Sequence, residues 1–150
     1  MRSLFQDTFY YKTDIDRPLS EVWSFFQTND NLAAITGFPK IRILGDKDVT
    51  EGATVHLEMN FYLMKLEWKG EITKVVPEAF FMDEGTNLPF PFTAWRHVHA
   101  FKEIDEQTTR MIDRVEFAAK VPSPLIRLML KGMFKDRERQ LEKHFLKQDG

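Results

Sequence analysis

The chain has 150 residues, 43% hydrophobic and 29% charged, with a net charge of −2 and no cysteine, which suits one globular domain over 1–150 with a single core. The missing cysteine excludes disulfides, thiol catalysis and Cys-rich zinc sites and fits a reducing, cytoplasmic setting; the slight acidity argues against a nucleic-acid binder, which carries a strong basic footprint. No apolar run reaches the about 20 residues that span a bilayer and no secretory leader pattern opens the chain, so stable membrane insertion is not expected.

Residues 7–15 alternate, with Phe9, Tyr11, Thr13 and Ile15 on one face, and predict a first strand. Asp16-Arg17-Pro18 stops it, with the cap at Asp16 or Arg17 and Pro18 in the first helical position. Leu19, Val22, Phe25 and Phe26 then recur at helical spacing over 18–27. Asn29-Asp30 offers a second cap before a short helix around Leu32–Ile35, which Thr36-Gly37 ends. A short strand follows at Ile41–Leu44.

From there the pattern is strand after strand. Ala53–Phe61 places Val55, Leu57, Met59 and Phe61 on one face, and Phe61–Met64 forms an apolar hairpin tip. Leu66–Val76 presents Leu66, Trp68, Gly70 and Ile72 together; Phe80–Glu84 is short, and Gly85–Pro91 is a Pro- and Phe-bearing loop that suits either a lid or a crossover. Phe92–Ile104 puts Trp95, His97, His99 and Phe101 on one face. Thr108–Ala118 closes the series, with Met111, Asp113, Val115 and Phe117 facing one way.

Ser123 caps and Pro124 opens a helix reaching about Lys147, in which Leu125, Leu128, Met129, Met133, Leu141 and Phe145 recur near helical spacing. Arg127, Lys131 and Lys135 form a cationic row that reads as a solvated face or a weak acidic or membrane-surface contact. Gly132 inside this helix is unfavourable unless sheet or ligand approaches it closely. The fold class is therefore α+β: a seven-stranded antiparallel sheet, curled by its twist around the long C-terminal helix, with two short helices after the first strand. A sheet gripping one helix leaves a gap between them, the default place for a ligand.

This order resembles the START-like (SRPBCC) helix-grip superfamily, which includes polyketide cyclases and birch-pollen-allergen-like proteins. The resemblance covers nearly the whole chain. It rests on Pro18-Leu19-Ser20-Glu21-Val22-Trp23-Ser24-Phe25-Phe26, the Gly52 turn, Trp68, Pro77 with Phe80-Phe81-Met82-Asp83, Trp95–Phe101 and the stretch from Phe134 to Phe145. It implies a bacterial single-domain ligand-binding branch, whose relatives include binders, carriers and a few cyclase or dehydratase enzymes. Fold alone does not choose among them.

The last hairpin's turn predicts a register in which Asp113 lies opposite His99 and Val115 opposite His97. His99 and Asp113 are then a candidate acid/base dyad, with His97 beside them; the same groups equally satisfy one another as a buried polar network. His97, His99 and Asp113 also offer two imidazoles and a carboxylate, but no spacing signature marks a metal site, and no cofactor motif is present. The expected ligand wall is Trp68, Phe81, Asp83, Trp95, His97, His99, Phe101, Met111, Asp113, Met129 and Met133. The expected partner is a small hydrophobic or aromatic ligand, carried or sensed; an exposed Phe61–Met64 tip would add a protein contact or a homodimer.

Overall fold

The computed structural model describes residues 5–149, with side chains to Leu146. Its elements are β1 (Phe5–Ile15), α1 (Leu19–Phe25), α2 (Asn29–Ala34), β2 (Lys40–Ile43), β3 (Thr54–Asn60), β4 (Lys65–Val76), β5 (Phe80–Asn87), β6 (Phe92–Asp105), β7 (Thr108–Ala119) and α3 (Ser123–Asp149). The seven strands form one antiparallel sheet in the order β1-β7-β6-β5-β4-β3-β2. That is the curled sheet and long helix expected of a helix grip. β5 runs three residues beyond the predicted Glu84, and Gly70 pairs with Gly85 at an irregularity where a Cβ on Gly70 would lie 2.6 Å from the Glu84 carbonyl oxygen. The capping expectations change as well. Pro18 is itself the N-cap of α1, with no side-chain cap. Thr28, rather than Asn29 or Asp30, caps α2 by accepting the Asp30 N–H.

The phase of α3 is the main correction. The helix buries Ile126, Leu130, Phe134, Leu141 and Phe145, while Leu125, Leu128, Met129 and Met133 are exposed. Two apolar rows run along this helix about 100° apart, each at spacing i, i+4, and periodicity cannot choose between them. Packing against β1 and β7 chooses the row led by Ile126. Gly132 meets no other heavy atom within 4 Å of a built Cβ, so no close approach explains it.

The helix is oriented by its flanks. On one side Arg127 donates to the Thr8 carbonyl and Tyr11 O–H donates to Glu138 Oε1 at 2.5 Å, tying α3 to β1. On the other side Gly37 N–H donates to Asp136 Oδ2. Met133 and Met129 lie about one and two turns before Asp136 on that second flank, which overlooks the strands away from β1.

Two apolar clusters fill the grip. One packs α1 and the end of α3 against Phe81, Phe101, Met111 and Ile72; the other packs the first half of α3 against Phe9, Val115 and Phe117. A polar belt lies between them. On β7 the belt is Asp113, between Met111 and Val115; on α3 it is Arg137, between Phe134 and Leu141; on β6 it is His97 and His99.

Candidate functional site

Inward residues of β6 alternate as predicted, and Asp113 does stand opposite His99 in the ladder. The bonding nevertheless runs along the diagonals. His97 Nε2–H donates to Asp113 Oδ1 at 2.8 Å, and His99 Nε2–H donates to Asp83 Oδ2 at 2.7 Å. Asp83 stands opposite His97 on the other neighbouring strand. The expected His99–Asp113 dyad is thus replaced by two diagonal pairs, and the closest approach left to it is His99 Nδ1 to Asp113 Oδ1 at 3.8 Å. The two imidazoles stack at 3.6 Å, and Phe81 stacks on the far face of His99 at 4.1 Å. These ring contacts hold both rings leaning along the strand, which carries each Nε2 to the diagonal carboxylate.

Two further groups complete the belt. Trp95 Nε1–H donates to Asp83 Oδ1 at 3.2 Å. Arg137 reaches down from α3 with both terminal nitrogens, to Asp113 Oδ1 at 3.2 Å and to Asp113 Oδ2, and lies over the Phe134 ring at 4.5 Å. Arg137 was not among the residues expected at the site. A signal for it existed, because a buried carboxylate demands a countercharge and position 137 continues the row of Leu130 and Phe134.

The electrostatics follow from burial and pairing. Burial alone would push the Asp113 carboxyl up; the Arg137 guanidinium and the His97 hydrogen bond outweigh it and hold the group well below the usual carboxylate range. Burial likewise opposes ionisation of Asp83, and the His99 hydrogen bond and charge bring it below its ordinary value. His99 is lowered, first by burial and then by His97, against the raising effect of Asp83. Ionised carboxylates only accept, so each imidazole carries a proton on Nε2, and His99, whose charged form burial disfavours, presents Nδ1 as a lone pair. His99 Nδ1 and Arg137 Nε find no hydrogen-bond partner among the described residues. The belt can accept a proton at an imidazole Nδ1 or orient a donor placed there. Donor atoms of Asp83, His97 and His99 lie within 4.8 Å of one another, so the carboxylate that joins the two imidazoles in any metal-binding arrangement is Asp83, since Asp113 is engaged by Arg137.

Accessibility divides the expected wall. Met111 and Asp113 are 0% exposed, so no water-sized space touches them. Phe81 and Phe101 are covered edge-on by Trp23 of α1, at 6.0 and 5.2 Å. These four are core, a correction to their assignment as ligand wall. The open part lies toward β4 and the start of β6. There Trp68, Trp95 and Phe92 form a mutually edge-on cluster with centroids 4.9 to 5.6 Å apart, each ring partly exposed. Asp83 and His99 are the most accessible of the belt's ionisable members, with side chains 16% and 13% exposed. Met129 and Met133 stand above on the helix flank, 41% and 43% exposed. Two recesses, of about 380 and 640 Å³, lie along β2–β4 and on the outer sheet face around Arg96 and Glu116. Neither of these two recesses is the enclosed sheet–helix cavity that was expected; on the inner face it is the partly exposed Trp68, Phe92 and Trp95 and the exposed Met129 and Met133 that reach solvent.

The family described as "Domain of unknown function (DUF8410)" matches residues 66–145, which spans β4 to α3 and every member of the belt. The chain belongs to that family. No curated protein matches it. Among solved structures it is similar to Ara h 8.0201, with a TM-score of 0.73 and 12% identity over 95% of this chain and 99% of that one. It is similar also to a START superfamily protein from Mycobacterium smegmatis, with a TM-score of 0.72 and 9% identity over 91% and 95%. A third is norcoclaurine synthase from Thalictrum flavum in complex with dopamine and hydroxybenzaldehyde, with a TM-score of 0.70 and 15% identity over 97% and 89%. At these identities the likeness concerns the fold, which is the START-like helix grip.

Proposed function

We propose that this DUF8410 chain, as one domain, binds a small hydrophobic or aromatic molecule along the groove between α3 and the inner sheet face, as a carrier or sensor. The observation that carries the reading is the juxtaposition of the partly exposed Trp68–Phe92–Trp95 cluster with the accessible edge of an ionised belt at Asp83 and His99. Apolar walls with a few fixed polar groups give affinity from burial and orientation from hydrogen bonding. Met129 and Met133 are the flexible side of the groove, able to fold over a ligand. The similarity to norcoclaurine synthase, whose solved structure holds dopamine and hydroxybenzaldehyde, supports the same reading.

Native mass spectrometry of protein taken from cells tests it, together with titration of an apolar dye followed by tryptophan quenching. A co-purified apolar molecule, or dye binding weakened by Trp68→Ala, supports the groove. Protein that carries nothing and binds the dye equally well with Trp68 replaced refutes it. A second reading is an acid/base enzyme of the cyclase or dehydratase kind. One observation favours it: His99 is kept neutral by burial while an ionised carboxylate fixes its tautomer, the arrangement of a general base.

A further inference from the structure

The two ends of the half-barrel differ in kind. At one end the turns are polar: Thr50-Glu51-Gly52, Pro77-Glu78 and Asp105-Glu106-Gln107. The antiparallel ladder brings to the other end the start of β2, the β3–β4 hairpin, the β5–β6 loop and the start of α3, since Lys40 pairs with Asn60, Asn60 with Lys65, and Phe92 with Ala119. All four of these segments expose large apolar side chains. The hairpin tip shows Tyr62 at 76% and Leu63 at 99% exposure, with Met64 beside them. Phe38, exposed, stacks on Tyr62 at 5.6 Å. Phe90 stands out from the β5–β6 loop, and Leu125 and Leu128 from the first turns of α3.

The tip is built to hold this display. Phe61 N–H donates to the Met64 carbonyl at 2.9 Å and Tyr62 N–H to Asn60 Oδ1 at 2.8 Å. Tyr62 adopts φ 70°, a left-handed conformation that such tips normally assign to Gly or Asn. A bulky pair placed there against local preference marks a position kept for something other than folding. Charges of both signs surround it, but the acids are engaged, Glu67 at the base of the hairpin by His56. Lys40, Lys65 and Lys120 are exposed and join no ion pair among the described residues, whereas the nearby acids Glu58 and Asp7 are engaged by Arg42 and Arg127.

We propose that this end of the domain is a membrane-docking surface, seating the Tyr62–Met64 tip with Phe38, Phe90 and Leu128 in the headgroup zone of an anionic lipid bilayer while Lys40, Lys65 and Lys120 meet lipid phosphates. Apolar prongs ringed by unpaired lysines complement such a surface in both polarity and charge. A second copy of the chain is the poorer occupant, because a two-fold contact would set these lysines against one another. The docking proposed is peripheral; among the described residues no helix is long and apolar enough to cross a membrane. It would also place the groove mouth, flanked by Met129 and Met133, at the lipid surface, but it stands whether or not the groove binds a ligand.

The test is co-sedimentation of the full chain with phosphatidylcholine vesicles, with and without phosphatidylglycerol. Retention should require the anionic lipid and fall as salt is raised. Leu63→Asp and Leu128→Asp should each weaken it about tenfold or more, the scale of losing one buried leucine, and Lys65→Gln about fivefold. Thermal melts of these variants should match the parent, because the replaced groups are exposed. No retention on either vesicle, equal retention on both, or retention unmoved by the paired Leu63→Asp and Leu128→Asp changes overturns the proposal. So does a concentration-dependent dimer abolished by Leu63→Asp in protein that ignores vesicles.

Discussion

Arg137→Leu removes the cation that lets Asp113 remain ionised inside the core. Asp113 is 0% exposed and Arg137 11% exposed, and the two make a bidentate pair. Breaking such a pair from one side strands a buried charge and costs about 3–5 kcal/mol. The sign of the pH dependence follows. In the parent the Asp113 carboxyl is depressed below its unfolded value, so it contributes stability above about pH 4 that is lost as pH falls through the folded-state value. In the variant the Arg137 share of that depression is lost and only the His97 contact remains, so the penalty should be greatest near neutrality and shrink on acidification. Urea melts of both proteins across the acidic range measure the difference. Adding Asp113→Asn should recover much of the loss, because no charge is then stranded, though His97 loses its ionised acceptor. A penalty below about 1 kcal/mol, of the size of an exposed ion pair, or one that ignores pH, would refute the reasoning that this pair holds α3 over the belt.

His99 is lowered by burial, so between its folded and unfolded values only the unfolded chain takes up the proton; stability should fall as pH drops below about 6.5. Denaturant melts should show that slope, and His99→Gln should remove it. Gly132→Ala should stabilise the protein by about 0.5–1 kcal/mol, since the site is helical, exposed and open; a thermal melt that fell would reveal a neighbour of α3 not accounted for. Tyr11→Phe should cost about 1 kcal/mol through the lost bond to Glu138, read by urea melt. Its hydroxyl is pushed up to about 12, by burial first and then by Glu138, so the parent bond should survive to strongly alkaline pH.

The succession of strands along the chain, their faces and the last hairpin's register were legible because alternation at period two and a tight turn leave few solutions. The inward placement of Trp95, His97, His99 and Phe101 needed nothing else. The bonding partner of each histidine was not legible. It depends on how two stacked rings lean, and on Asp83 arriving from a strand on the opposite side of β6. A pairwise register contains neither fact.

The same division holds for the helix. Composition and caps determined that residues after Ser123 are helical and basic. They could not determine which of two apolar rows is buried, because Leu125-Met129-Met133 and Ile126-Leu130-Phe134 share one spacing and differ only in rotation about the axis. Tertiary structure decided it through contacts distant in sequence: Arg127 to β1, Asp136 to Gly37, and Arg137 to Asp113. Once Arg137 must face the buried carboxylate, the rotation is set. Ile126 then turns inward, and the methionines turn out to the open side of the groove. Periodicity along the chain specifies that a helix has an apolar face; a buried charge on another strand specifies where that face must point.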